Sequence, residues 1–216
     1  MIKALFFDLD GTLAYTLPDI MNNLNRVRKH KGLEPVGDDL IFKIVNGTTE
    51  EVVRNVLPEG MDEEYYKEAV EYYLKEYDIH YLDTTVAYDG VIDVLKELKK
   101  EGYILCVLSN KDTSHTTNMT KKLYGDEIFT TYLGPDNFPG KPCPESSFYL
   151  MNKYNLKPDE VIYVGDTDTD IKTANNVGMH LICVSWGYRS KEFLISNGAK
   201  HIADVPGDIL KCIKEI

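Results

Sequence analysis

Residues 4–12 read Ala4-Leu5-Phe6-Phe7-Asp8-Leu9-Asp10-Gly11-Thr12. Four apolar residues followed at once by acid describe a strand buried on both faces, as in a parallel sheet. Open α/β sheets gather their ligands beyond the C-terminal ends of strands, so Asp8 is expected to emerge at a site. Gly11 lets the backbone turn sharply there. Side chains alternate along an extended chain, which points Asp8 and Asp10 the same way with only Leu9 between them. Two like charges so close are costly without a cation. The pair therefore predicts a bound divalent metal, Mg²⁺, a hard ion that takes oxygen ligands and commonly sits with substrate phosphates.

The same grammar recurs further along. Ile104-Leu105-Cys106-Val107-Leu108 is an apolar run ending in Ser109-Asn110. Val161-Ile162-Tyr163-Val164-Gly165 is another, ending in Asp166-Thr167-Asp168-Thr169-Asp170, and between the two runs lies Gly140-Lys141-Pro142-Cys143-Pro144, a lysine in a proline-stiffened loop before a helix. These four segments, in this order, resemble the four motifs of the haloacid dehalogenase-like superfamily of phosphohydrolases. The first motif is DxDG[TV], matched by Asp8 to Thr12.

That resemblance implies a role for each residue. Asp8 is the nucleophile, splitting hydrolysis into formation and breakdown of an aspartyl-phosphate. Asp10 is the general acid and base, and gives its backbone carbonyl to the metal. Ser109, the backbone N–H of Asn110 and Lys141 grip the phosphoryl oxygens. Asp8, Asp10 and Asp166 form the metal site, which Asp170 supports through water or hydrogen bonds to the ligands.

Plainer readings stand beside these. Ser109, just ahead of a helix, also suits capping that helix. Lys141 taken alone reads as a solvated surface charge. Asp168 is expected to be the N-cap of a helix Ile171 to Val177 that Gly178 ends.

From Leu17 to about Leu82, in the stretch inserted between the first strand and the helix Val91 to Lys100, no strand is evident. Pro18 and Asp19 open a helix with Ile20, Leu24 and Val27 on one face and Gly32 at its stop. Thr48-Thr49-Glu50-Glu51 has a capping-box pattern, and Asp62 precedes a tyrosine-rich run through Tyr77. The expected organisation is an α/β core of residues 1–15 and 84–216, a doubly wound parallel sheet, interrupted by an all-helical cap of residues 16–83. The core strands are read at Ala4 to Phe7, Tyr103 to Leu108, near Ile128 to Leu133, Val161 to Val164, Leu181 to Val184 and His201 to Ala203. Such an inserted cap resembles the phosphoglycolate phosphatase-like branch of the superfamily, and so does Ser185-Trp186-Gly187-Tyr188-Arg189-Ser190 near the C-terminus. Within the cap, Asn46-Gly47-Thr48-Thr49 resembles the loop that reaches toward the substrate. Gly47, Thr48 and Thr49 are accordingly the candidate specificity residues, and the helix N-terminus at Thr48 is a candidate anion site. Arg54 reads equally as an anion contact or a surface charge. The cap tyrosines Tyr65, Tyr66, Tyr72, Tyr73 and Tyr77 read as packing residues.

Composition narrows the classes. The chain has 216 residues, 43% of them hydrophobic, enough for one substantial α/β domain with an insertion. A net charge of −11 argues against nucleic acid as a partner. No segment is long or apolar enough to span a membrane, and the four cysteines lack metal-ligand spacing, so a cytoplasmic enzyme with reduced thiols is expected. The function implied is Mg²⁺-dependent hydrolysis of a small phosphorylated metabolite, phosphoglycolate first. Pyrophosphate, nucleotides, sugar phosphates and phosphomutase chemistry remain open on the same core.

Overall fold

A computed structural model describes residues 1–37 and 47–216. The chain divides into two compact units: Met1–Tyr15 with Ala87–Ile216, and Thr16–Val86.

The first unit is built on a six-stranded parallel sheet of β1 (Ala4–Phe7), β4 (Ile104–Leu108), β5 (Thr131–Leu133), β6 (Val161–Gly165), β7 (His180–Val184) and β8 (His201–Ala203). Two two-residue strands, β2 (Ala14–Tyr15) and β3 (Val86–Ala87), mark where the chain leaves and re-enters this unit. The order across the sheet is β5-β4-β1-β6-β7-β8. Helices fill the connections, as parallel neighbours require. The apolar runs behave as their composition dictates. Ala4, Leu5, Phe6 and Phe7 are sealed on both faces, as are Leu105 to Leu108 and Val161 to Val164. In register, Phe7 lies opposite Val107 on one side and Val164 on the other. The winding direction reverses at β1, which places the residues after β1, β4 and β6 side by side at one edge of the sheet. Asp8, Ser109 and Asp166 are those residues.

The second unit is helical among the described residues: Leu17–His30, Thr49–Asn55 and Glu63–His80. Ile20, Leu24 and Val27 of the first pack with Val52, Val53, Val56 and Leu57 and with Tyr66, Ala69, Tyr73 and Tyr77. Tyr73 and Tyr77 stack at 5.2 Å, so these tyrosines build the core of the unit. Asp62 caps the long helix through the Tyr65 N–H at 2.8 Å.

Asp19, expected only to open a helix, is a buried carboxylate of this unit. Asp19 is 1% exposed and accepts from the N–H and hydroxyl of both Thr84 and Thr85 at 2.6–3.1 Å. It ties the start of the unit to its end. Asp19→Ala strands those buried donors and is expected to cost about 3 kcal/mol in urea unfolding. A loss under about 0.5 kcal/mol would mean that water replaces the carboxylate without penalty.

Candidate active site

Asp8 leaves the buried end of β1, where its N–H donates to the Val164 carbonyl at 2.9 Å. Gly11 then turns the chain at φ +85°, and a Cβ there would meet the Asp166 carboxylate at 2.4 Å. Glycine is required at this position twice over, by conformation and by space. Gly187 approaches Asp166 as closely from another loop, where a Cβ would lie 2.3 Å from the carboxylate. Two glycines thus make room for one buried acid. Asp166 is itself fixed by the Thr12 hydroxyl at 2.8 Å and the Tyr188 N–H at 2.7 Å.

Lys141 arrives from the segment after β5. The Asn110 side chain holds its backbone, accepting its N–H at 2.6 Å and donating to its carbonyl at 3.0 Å. Its ammonium reaches Asp8 Oδ1 at 2.9 Å and Asp170 Oδ1 at 2.8 Å. Lys141 is therefore buried and ion-paired, so the surface-charge reading fails. The Asn110 side chain is committed to this latch, leaving only its main chain for a phosphoryl group.

Asp170 joins the site's parts. Its second oxygen accepts from the N–H groups of Asp166 and Thr167 and from the Thr167 hydroxyl at 2.8–3.1 Å. Thr167, not Asp168, is the N-cap of the helix, which runs Asp168–Val177 and starts earlier than expected. The capping box takes Asp170 as its acidic partner because Asp170 lies three positions after the N-cap, at N3. Asp168 lies in the first turn and pairs with Lys172 at 2.9 Å. Ser109 is not a cap either, since Asp112 accepts from the His115 N–H at the next helix. Ser109 is buried, with its Oγ accepting the Lys111 N–H at 3.1 Å.

Among the described residues Asp8, Asp166 and Asp170 form the one acidic group able to hold a metal ion, with ligand oxygens within 4.8 Å of one another. The carboxylate of Asp10 stands outside that group. Its Oδ1 is buried without a hydrogen bond of good geometry and lies 3.3 Å from Lys111 Nζ, a neighbour the sequence reading missed.

Asp8 and Asp170 share the charge of one buried ammonium, and the buried Asp166 lies beside them. Burial, opposed by Lys141 and reinforced by Asp170 and Asp10, pushes Asp8 up to about 7. Burial, with Asp170 and Asp8, also raises Asp166 well above the carboxylate range. Burial alone would lower Lys141, but Asp170 and Asp8 outweigh it and hold the ammonium protonated well above its usual range. A hard, all-oxygen donor set in which burial and neighbouring carboxylates penalise the ionised forms of Asp8 and Asp166 fits a divalent cation.

The cap-loop expectations fare differently. Asn46 lies outside the described residues. Gly47 has φ +132°. The Thr48 N–H donates to the Glu51 carboxylate at 2.7 Å, closing a capping box. With Glu50 and Glu51 in its first turn this helix end already carries negative charge, so the expected anion site at Thr48 is corrected. Thr49 is merely the first helical residue. Arg54 is taken up by Glu50 and Glu63, at 3.0 and 2.5 Å from its Nη2.

Residues 5–184 match the family model of the haloacid dehalogenase-like hydrolases, and the chain belongs to that family. A phosphoglycolate phosphatase of Pasteurella multocida is 29% identical over 194 residues, covering 86% of this chain and 87% of its own. An N-acetylmuramic acid 6-phosphate phosphatase of Pseudomonas aeruginosa is 27% identical, covering 97% and 93%. The solved structure of a predicted phosphoglycolate phosphatase from Haemophilus somnus superimposes with a TM-score of 0.91 at 27% identity, covering 98% of each chain. Within the family this chain is a phosphatase, a phosphoric monoester hydrolase.

Proposed function

We propose that the protein hydrolyses a small phosphorylated metabolite, 2-phosphoglycolate foremost, through an aspartyl-phosphate on Asp8 with Mg²⁺ as cofactor. The observation that carries this reading is the Asp8–Lys141–Asp170 array. A carboxylate at the end of the central strand is ion-paired at 2.9 Å to a buried lysine that a second carboxylate holds in place. Such a lysine presents fixed positive charge where phosphoryl oxygens gather charge in the transition state.

Asp8 attacks phosphorus, and Asp10 protonates the leaving oxygen and then takes the proton of the hydrolytic water. The Ser109 hydroxyl and Lys141 hold phosphoryl oxygens. Asp8, Asp166 and the main-chain carbonyl of Asp10 would hold Mg²⁺, with Asp170 orienting the set. When bound, the ion neutralises the acidic cluster and shares the charge of the phosphoryl group.

The substrate rests on the relatives named for phosphoglycolate, and the Pseudomonas aeruginosa relative supports a second reading, a phosphorylated amino sugar. A panel of 2-phosphoglycolate, N-acetylmuramic acid 6-phosphate, glucose phosphates, nucleotides and pyrophosphate, compared by kcat/KM with Mg²⁺, separates them. Phosphoglycolate is expected to lead by about 10-fold or more. A sugar phosphate in first place would replace the substrate, and isomerised rather than dephosphorylated product would replace hydrolysis by mutase chemistry.

The electrostatics give the cofactor its own test. A carboxylate raised in the native state binds its proton more tightly there than in the unfolded chain. Its contribution to stability is therefore lost as pH rises from the ordinary carboxylate range through about 7, the value for Asp8. Metal must displace those protons. The gain in Tm on adding saturating Mg²⁺ is thus expected to be larger at about pH 8 than at about pH 5.5. An equal gain at both would place the ion elsewhere.

A further inference from the structure

The Lys141 ammonium has three N–H bonds, and the structure supplies three acceptors: Asp8 Oδ1 at 2.9 Å, Asp170 Oδ1 at 2.8 Å and the Tyr163 hydroxyl at 2.8 Å. Two are carboxylates already given roles in the proposed reaction. The third is an uncharged phenol in the middle of β6 with 0% exposure. Phenylalanine would fill that space and need no partner, so the hydroxyl calls for an explanation.

Its orientation supplies one. The Tyr163 hydroxyl donates its only proton to the Leu108 carbonyl at 2.9 Å, which turns its lone pairs toward Lys141. Leu108 is the residue before Ser109. One phenol therefore bridges the strand end that carries Ser109 and the head of the lysine, while Asn110 latches the backbone of that same lysine.

We propose that Tyr163 is a positioning residue that keeps the Lys141 ammonium aimed at the reacting group throughout phosphoryl transfer. The inference rests on the reading of Asp8 as nucleophile. In that step an Asp8 oxygen forms a bond to phosphorus, the ester O–P bond breaks, and the leaving oxygen takes the proton of Asp10. Asp8 thereby loses its formal charge and its pull on Nζ weakens, while Asp170 keeps its own. A neutral acceptor anchored to the sheet does not change during the reaction, so it opposes a drift of the ammonium toward Asp170. A displacement of even about 1 Å matters at this distance from phosphorus.

The test is Tyr163→Phe, read in three ways: kcat and KM on phosphate esters, Tm, and the crystal structure of the variant. Positioning predicts kcat lower by about 10-fold or more, KM within about 2-fold and a displaced Lys141 Nζ. A lower Tm with kcat per folded molecule unchanged would show that the hydroxyl serves only the Leu108 carbonyl, and would overturn the proposal. So would an Nζ that stays in place. If the wild type hydrolysed none of the esters, the reading of Asp8 would fall by itself. The position of Nζ in Tyr163→Phe would then still decide whether Tyr163 fixes the lysine.

Discussion

Asp8→Asn is expected to lose turnover by about 10⁴-fold or more while remaining folded. The amide matches the carboxylate in size but is a poor nucleophile and a weak ligand for a hard cation. Its effect on stability follows from the site's charge. Asp8 is raised by burial and by Asp170 and Asp10 even though Lys141 opposes the shift, so its ionised form is on balance a burden to the native state. At about pH 8, without metal, the variant is therefore expected to melt no lower than the wild type, and its gain in Tm with Mg²⁺ to shrink. Single-turnover kinetics with acid quench should find no phosphoenzyme. A folded Asp8→Asn protein retaining near wild-type kcat would remove the covalent mechanism altogether.

Asp10→Asn is expected to lower kcat by about 10²- to 10⁴-fold, the range for losing a positioned proton carrier. Here the structure separates two neighbours of similar sequence context. Asp8 belongs to the buried acidic group with Asp166 and Asp170, whereas the Asp10 carboxylate stands outside it beside Lys111. Loss of Asp10 should therefore damage proton transfer more than metal affinity. Leaving-group dependence provides the measurement. A phosphate ester with a good leaving group, which needs little protonation, should be far less sensitive to Asp10→Asn than an alkyl phosphate. Equal losses on both would assign Asp10 to binding and leave the general acid to be found elsewhere.

The fold was legible in the sequence for a simple reason. Strands buried on both faces have no use for alternation, so β1, β4 and β6 stand out as unbroken apolar runs, each ending in a polar residue. That each run delivers its polar residue to one edge follows from the parallel arrangement, and the separation of the runs by helices announces that arrangement. Helix starts with an unambiguous cap, such as Asp62 and Thr48, were equally plain. At the helix after β6 the expected cap, Asp168, was one residue off, and Thr167 takes that place. The capping box that chose Thr167 includes Asp170, a residue also drawn into the site by Lys141.

Read without the structure, the chain still yields the six core strands and the polar residues of the site: Asp8 and Asp10, Ser109, Lys141, Asp166 and Asp170. How these groups meet is a matter of packing. Asp170 touches Lys141, Gly187 gives up its side chain to make room for Asp166, and Asp19 gathers Thr84 and Thr85 from 65 and 66 residues away. Tyr163 reads as one more filler in a buried strand until its hydroxyl is found between Leu108 and Lys141. The physical reason is range. Strand and helix patterns arise from neighbours along the chain and are written locally, whereas a buried polar contact depends on which distant group the packing brings within hydrogen-bond distance, about 3 Å, and no local pattern records that.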